Sequence, residues 1–155
     1  MSPKWLLLYP GLGLIALGIA AEAAILEGPV LFNGVGFDIH TMLYASGATI
    51  LGLQLVVFSL LARAIGCAQK VLPMSLQFRR FLQLFTLERG ILCGLSIGAV
   101  GLSLGIYSVE LWASAGLSAL DPAAMMRIAI PSVTLMLAGA EIIFASFVLS
   151  FIDAK

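Results

Sequence analysis

Long apolar stretches alternate with short polar connections along the whole chain. Four of these stretches reach the roughly 20 residues that a helix needs to cross the hydrocarbon core of a bilayer. They span residues 5–24, 41–61, 91–112 and 128–152. The pattern predicts an all-α membrane protein in which residues 1–155 form a single membrane domain, a bundle of four transmembrane helices.

The composition also indicates a membrane protein. Of the 155 residues, 61% are hydrophobic and only 10% are charged, whereas ordinary soluble domains carry about 25% charged residues. The mean hydropathy is +1.12. A chain of this size cannot hide so much apolar surface internally, so lipid must cover the rest. The formal net charge is zero, which argues against nucleic-acid binding.

The first apolar stretch allows two interpretations. Lys4, the apolar run after it and the sequence Ala21-Glu22-Ala23 resemble a signal peptide with its cleavage site. Pro10 and several glycines interrupt the run, however, and its apolar length fills a bilayer. These features favour a helix that is retained.

Basic residues are distributed unevenly among the connections. The first connection has none, the third has only Arg127 at its far edge, and Lys4 and Lys155 flank the chain ends. The second connection has the largest share: Arg63, Lys70, Arg79, Arg80 and, at the next helix start, Arg89. Because loops rich in Lys and Arg stay cytoplasmic, we predict that both termini and this middle loop are cytoplasmic. The first connection, punctuated by Gly, Pro and Asn, is expected outside as a loop or short hairpin.

Residues 74–85, in the middle connection, follow an amphipathic pattern. At helical spacing, one side carries Met74, Phe78, Phe81, Leu82 and Phe85, and the other carries Arg79 and Arg80. The pattern predicts a cytoplasmic interfacial helix whose rings lie at the acyl boundary. Arginine suits phosphate groups, so Arg79, Arg80 and Arg89 are candidates for binding a lipid phosphate. Simple anchoring to anionic lipid is the alternative with the fewer assumptions.

The third apolar stretch has one helix face made of small residues. At about 100° per residue these positions fall close together; they are Gly90, Gly94, Gly98, Gly101, Gly105 and Ser108. Such a face lets another helix backbone approach closely. We predict that it packs against a helix of the same chain or of a second copy.

Among the polar side chains inside the apolar stretches, Glu22, Gln54 and Glu141 are the intramembrane candidates for a special role. A carboxylate near mid-membrane is costly unless it is paired or protonated. Glu141 is therefore either a site residue or proton carrier, or a protonated carboxyl bonded to Gln54 or to a backbone carbonyl, and we favour the second interpretation. Gln54 shares a helix face with His40, Tyr44, Gly47, Leu51, Phe58 and Leu61, a face that we expect to line the bundle interior.

No pattern of catalytic, metal-binding or cofactor-binding residues is present in the sequence. Cys67 and Cys93 form no Cys-x-x-Cys pair, and His40 alone cannot build a metal site. No Asp-x-Asp is available to hold a metal on a diphosphate, and the glycines lie within spans rather than in phosphate loops. We therefore predict no catalytic residue, no metal and no cofactor in this chain.

A series of short motifs gives the chain a family resemblance. In order, they are His40-Thr41-Met42-Leu43-Tyr44-Ala45-Ser46, Leu87-Glu88-Arg89-Gly90, Leu120-Asp121-Pro122, Ile130-Pro131-Ser132-Val133-Thr134-Leu135 and Phe147-Val148-Leu149-Ser150. Together they resemble the C-terminal membrane domain of bacterial family 2 glycosyltransferases of the polyprenyl-phosphate type, from Leu8 to Ser150. The family usually has Gln where this chain has Glu141, which favours a structural role for that residue.

The resemblance implies a role in lipid-linked sugar transfer at the bacterial cytoplasmic (inner) membrane. In such transferases a cytoplasmic domain moves a sugar from a nucleotide donor to a lipid phosphate, and the helices anchor that domain and help to present the lipid. Because the sequence shows no donor domain, we expect anchoring and acceptor presentation, with transfer only when the chain is paired with a catalytic domain.

Several partners follow from this expectation. They are membrane lipid, including undecaprenyl phosphate, a soluble glycosyltransferase subunit, and a second copy of the chain. The alternative function is a small four-span translocase for lipid-linked sugars, which an intramembrane Glu141 and Arg63 would suit.

Overall fold

The computed structural model describes residues 4–32, 34–114 and 121–153. Lys155 and Leu120, which entered the topology and motif arguments, lie outside these ranges. A short π-helical segment, Lys4–Leu8, leads directly into the first helix. The remaining elements are helix α1 (Tyr9–Ile25), strands β1 (Val30–Phe32) and β2 (Val35–Phe37), and helices α2 (Ile39–Ala68), α3 (Leu76–Leu84), α4 (Leu87–Ser114) and α5 (Pro122–Asp153).

Four of the described helices are long and apolar enough to cross a membrane. The crossing segments are Leu6–Ile25, Ile39–Ala68, Leu87–Ser114 and Pro122–Ile152. The prediction of four such helices with one additional short helix is confirmed. The side of the membrane on which the termini lie stays a prediction.

The long helices form a row rather than a closed bundle. The main packing contacts among the described helices join α1 to α2, α2 to α5 and α5 to α4. Each inner helix therefore has two helical neighbours, and α1 and α4 each have one. This open arrangement leaves many large apolar side chains exposed, such as Leu17, Leu92 and Phe151, as expected where lipid is the surrounding solvent.

Small residues allow α1 and α2 to approach closely. A Cβ atom added to Gly11 would lie 2.8 Å from the carbonyl oxygen of Gly52, and one added to Gly18 would lie 2.6 Å from that of Ala45. The buried residues of α2 include Met42, Ala45, Thr49, Gly52, Ser59 and Ala64. Helices in lipid have no hydrophobic driving force to associate, so their packing depends on close van der Waals contact. Small residues therefore face the neighbouring helix.

The predicted interior face of α2 was therefore wrong. Tyr44, Leu51 and Phe58 are among the most exposed large side chains of the helix, and a Cβ at Gly47 would meet nothing within 4 Å. These bulky side chains suit contact with lipid tails, whereas the opposite face, which carries smaller residues, packs against protein.

The glycine face of α4 packs against α5 within the same chain. A Cβ on Gly94 would lie 2.6 Å from the Gly139 carbonyl oxygen, and one on Gly101 would lie 2.7 Å from that of Ser132. Gly90 lies against Ser146, and Gly105 lies near the hydroxyl of Ser132. Ser132 Oγ also donates a hydrogen bond to the Gly101 carbonyl at 2.8 Å, which ties the two helices together.

Gly98 differs from the other glycines of this face. Its own Cβ direction opens into space with nothing within 4 Å, although its backbone is approached by Gly139. Gly98 lies at the edge of the stripe, about 80° from Gly90 at 100° per residue. The expectation that its side-chain position faces the neighbouring helix is wrong for this residue.

An ion pair and a small apolar cluster join α1, α2 and α5 at the ends of these helices that lie farthest from α3. Arg127, near the start of α5, donates to Asp38 Oδ1 at 2.6 Å, and Asp38 directly precedes α2. Beneath this pair, Ile25, Met42 and Ile130 form a buried cluster. The strands β1 and β2, which connect α1 to α2 as a hairpin, lie at this end.

Candidate functional site

The end of α2 is closed by a tight turn that brings the chain back toward α3. Lys70 N–H donates to the Cys67 carbonyl at 3.1 Å, and Val71 N–H donates to the Gly66 carbonyl at 2.9 Å. These two bonds, with Lys70 at a positive φ of 59°, form a Schellman motif. The turn also brings Leu72 against Gly66, where a Cβ would lie 2.7 Å from Leu72 Cδ1.

Ser75 begins α3 as its N-cap. Its backbone is extended, and its Oγ accepts a hydrogen bond from Phe78 N–H at 3.3 Å, which satisfies one of the unpaired amides of the first turn. The same Oγ accepts a bond of 2.6 Å from Arg63 Nη2. An arginine from the last turns of α2 thus holds the start of α3.

Arg63 also stacks on an aromatic ring of α3. Its guanidinium carbon lies 4.5 Å from the centroid of the Phe78 ring, within the range of a cation–π contact. Phe78 is only 4% exposed and clusters with Ala64 and Leu149. The rings continue along the helix, with Phe78 stacked on Phe81 and Phe81 on Phe85 at centroid distances of 6.4 and 5.6 Å.

This packing corrects the sequence interpretation of residues 74–85 in one respect. The helix spans Leu76–Leu84, and Phe78 is buried against Ala64 of α2 and Leu149 of α5, whereas Met74 is 52% exposed. The position of the helix at the membrane interface stays a prediction. The side that carries Arg79 and Arg80 is exposed. The rings were expected at the acyl boundary because no tertiary partner for them is visible in the sequence.

A groove of about 780 Å³ lies between the end of α2, the helix α3 and the end of α5. Its walls are mostly apolar, with a smaller polar part that includes Gln69. The lining residues are Ala64, Ile65, Cys67, Ala68 and Gln69 from α2 and its cap, Met74, Phe78 and Leu82 from the α3 region, and Phe147, Val148, Leu149, Phe151 and Ile152 from α5. The volume falls within the range of small-molecule pockets, roughly 300–1,000 Å³.

The predicted phosphate-binding arginines lie beside this groove and not in its walls. Arg79 and Arg80 are exposed on α3, away from Phe78 and Leu82, and Arg89 is exposed in the first turn of α4. Arg63 does not line the groove either, but it stacks on the lining residue Phe78.

The intramembrane polar residues lie apart from the groove. Glu22, Gln54 and Glu141 are each half-buried. In the described ranges no hydrogen bond joins Glu141 to Gln54, so the expected bond between them is not seen. Glu22 Oε1 is a buried atom without a hydrogen-bond partner, as is Arg127 Nε.

No group of three or more His, Cys, Asp or Glu that could hold a metal ion occurs in residues 4–32, 34–114 and 121–153. Both cysteines are free thiols: Cys93 is exposed, and Cys67 is half-buried in the groove wall. The chemistry available at the groove is therefore apolar contact together with arginine charge and hydrogen bonding.

Sequence reasoning did not identify Arg63, Ser75 and the α5 wall as parts of one site. Ser75 carries a recognisable N-cap signal before the amphipathic run. The contact of Ser75 with Arg63 spans a turn in which Lys70 adopts the left-handed conformation. This conformation could not be predicted from the sequence, because lysine rarely adopts it.

The family described as the Glycosyltransferase family 2 C-terminal transmembrane region matches residues 60–153 of this chain. The chain belongs to this family. The matched segment covers more than half of the 155 residues and contains the end of α2, the helix α3, the groove, α4 and α5. No curated protein and no solved structure matches the chain.

Membership in this family fixes a coarse role. The chain is a multi-pass membrane protein that carries the transmembrane region of family 2 glycosyltransferases, and such a region is associated with a membrane and with a catalytic family 2 domain. The resemblance to the C-terminal membrane domain of family 2 glycosyltransferases is thus confirmed over residues 60–153. The polyprenyl-phosphate type stays a prediction. The α1 helix, the hairpin and the first two-thirds of α2 precede the matched segment.

Proposed function

We propose that this chain anchors a family 2 glycosyltransferase in the bacterial cytoplasmic membrane and presents a polyprenyl phosphate acceptor to it, without catalysing transfer itself. The observation that carries the proposal is the apolar groove beside a helix with exposed arginines. An acceptor of this class has the same two parts, a long apolar chain and an anionic headgroup. In this proposal α3 lies on the cytoplasmic side, where a nucleotide-sugar donor is available.

The groove suits an isoprenoid segment. Aliphatic and aromatic side chains of α2, α3 and α5 form most of its walls, so a hydrocarbon chain in the groove would exchange water for apolar contact. The exposed apolar side chains Phe147, Val148 and Phe151 border it on the α5 side. They offer a continuous path from the groove into the surrounding lipid, where the rest of a long chain would remain.

The arginines suit the phosphate. A guanidinium is permanently charged and can bind two phosphate oxygens at once. Arg63 stacks on the lining residue Phe78 and already donates to Ser75. The exposed Arg79 and Arg80 lie on the adjacent side of α3. We assign the headgroup to this cluster together with Arg89, with Arg63 keeping α3 in place.

The proposal is tested by photo-crosslinking with a diazirine-bearing undecaprenyl phosphate in nanodiscs that contain the full chain. Label is expected on the peptides that contain Ala64 to Gln69 and Phe147 to Ile152. Ala68→Phe, which places a ring in the groove from an exposed position, should reduce labelling by about tenfold, equivalent to about 1.4 kcal/mol of binding. Val100→Phe, on the lipid-exposed side of α4, is the matched control and should label as the unchanged chain does.

A comparison of two anionic lipids tests the assignment of the phosphate headgroup to the arginines. Replacing Arg79 and Arg80 together by Gln should weaken binding of undecaprenyl phosphate more than binding of phosphatidylglycerol, and the loss should diminish at high salt. Equal loss for the two lipids would leave only general anchoring. Labelling that Ala68→Phe does not change would refute the groove, and transport of lipid-linked sugar across liposomes by the chain alone would replace the proposal with the translocase function.

A further inference from the structure

The hairpin between α1 and α2 has an apolar side chain that the protein does not cover. The strands pair in antiparallel register, with Val30 opposite Phe37 and Leu31 opposite Gly36. Since side chains alternate between the faces of a strand, Val30 and Phe37 share one face and Leu31 lies on the other. Val30 and Phe37 are 38% and 37% exposed, whereas Leu31 is 78% exposed. One face is therefore partly covered, and Leu31 projects from the other face, where the protein leaves it far more exposed.

The lengths of the two flanking helices determine how far the hairpin lies from the bilayer. The crossing segment Leu6–Ile25, which contains α1, has 20 residues. At 1.5 Å per residue it is about 30 Å long, which matches the hydrocarbon core. The hairpin begins within five residues of that end. Helix α2 has 30 residues, about 45 Å, which matches a bilayer with its headgroups. Both helices place the hairpin at the level of the headgroups and not in bulk water.

The charges around the hairpin permit contact with lipid. The segment from Gly28 to Phe37 contains no Asp, Glu, Lys or Arg. The charged residues at its base are Glu27, which is exposed, and Asp38, which is paired with Arg127 at 2.6 Å. No ionised group would have to leave water if the strands settled into the interface. The ion pair also fixes the base of the hairpin to the start of α5.

A two-stranded hairpin that is surrounded by water has little stability. A single two-stranded hairpin is marginally stable on its own, and this one has no third strand among the described residues. An apolar surface that receives Leu31 would remove its exposed area from water and support the strand pair.

We infer that the β1–β2 hairpin is an interfacial anchor whose Leu31 side chain inserts into the lipid at the membrane surface opposite α3. Together the hairpin and α3 hold the row of helices at both surfaces of the bilayer. The two contacts differ in kind. Helix α3 presents arginines to its surface, whereas the hairpin has no charge and binds through apolar contact alone. The hairpin lies before the segment that matches the family, so the inference stands apart from acceptor binding.

Depth measurement with a spin label tests this inference on the full chain in phosphatidylcholine nanodiscs. In a Cys67→Ser, Cys93→Ser background, Leu31→Cys carries a nitroxide at an exposed position that no packing contact requires. Gln83→Cys, exposed on the polar side of α3, serves as the reference for a surface position that does not insert into lipid, and Val100→Cys, exposed on α4, serves as the reference for lipid. Collisions with oxygen and with a water-soluble nickel chelate give the depth of each label.

The label at position 31 should collide with oxygen more than the label at 83 does, and with the nickel chelate less, at a depth short of position 100. Added salt or phosphatidylglycerol should leave that depth unchanged, because no charge drives the contact. The inference is overturned if the label at 31 behaves as the one at 83, if it is shielded from both reagents as in a protein interface, or if its depth depends on salt and anionic lipid.

Discussion

Gly94 of α4 and Gly139 of α5 face each other so closely that neither position has room for a side chain. A Cβ on Gly94 would lie 2.6 Å from the Gly139 carbonyl oxygen, and a Cβ on Gly139 would lie 2.5 Å from that of Gly94. The obstacle on each side is backbone, which cannot move without separating the helices. This pair therefore sets the distance between α4 and α5.

Substitution of Gly94 should destabilise the membrane domain. Gly94→Ala forces the helix pair apart, and we expect a loss of about 1–3 kcal/mol, the usual effect of overpacking. Gly98→Ala is the matched control, one helical turn away on the same helix, because its Cβ direction is open. Thermal unfolding in detergent should show a lower midpoint for Gly94→Ala and an unchanged or slightly higher one for Gly98→Ala. Equal midpoints for the two variants would contradict this packing.

The Arg127–Asp38 ion pair should couple the start of α5 to the start of α2. Arg127 is only 17% exposed, but Asp38 is 39% exposed, so solvent screens the pair and we expect a coupling of about 1 kcal/mol. A double-mutant cycle of Asp38→Asn and Arg127→Gln, followed by unfolding in detergent, measures it. The coupling should shrink as salt is added. Strictly additive effects would show that the two side chains do not interact in solution.

Parts of this architecture were predictable from the sequence because they depend on local pattern. Apolar length gave the four helices, and the periodicity of glycine gave the face of α4 that packs closely. The interior face of α2 was not predictable in the same way. Both of its faces are apolar at helical spacing, and in a membrane the bulky side of Tyr44 and Phe58 goes to lipid while the side of smaller residues goes to protein.

The groove could not be predicted because it depends on contacts between separate elements. Arg63 and Ser75 meet only because a Schellman turn reverses the chain between α2 and α3. The α5 wall, including Phe147 and Phe151, joins them from more than 70 residues further along. The periodicity of one helix carries no information about which residues of other helices it contacts.

Ser75 should stabilise the folded helix α3. Ser75→Ala removes the N-cap and the acceptor of Arg63, and we expect α3 to lose about 1 kcal/mol, the typical contribution of a cap. Ser96→Ala is the control, because the Ser96 hydroxyl is exposed and donates only to the Leu92 carbonyl of its own helix. Hydrogen exchange of the amides from Phe78 to Leu82 should accelerate in Ser75→Ala and stay unchanged in Ser96→Ala. Unchanged exchange in both would mean that docking of the phenylalanine side alone holds α3.

Lys70 is the one non-glycine residue with a positive φ among the described residues, at 59°. It occupies the position of the Schellman motif that glycine usually fills, because a side chain there costs about 1–2 kcal/mol in the left-handed region. Lys70→Gly should therefore stabilise the turn between α2 and α3, in part offset by the greater freedom of glycine in the unfolded chain. Lys70→Ala removes the same charge but keeps a Cβ, so it separates the conformational effect from the electrostatic one. In detergent unfolding, Lys70→Gly should exceed Lys70→Ala in stability by about 1 kcal/mol. If the alanine variant were as stable as the glycine variant, the strain assigned to this turn would be absent and the charge of Lys70 would account for any change.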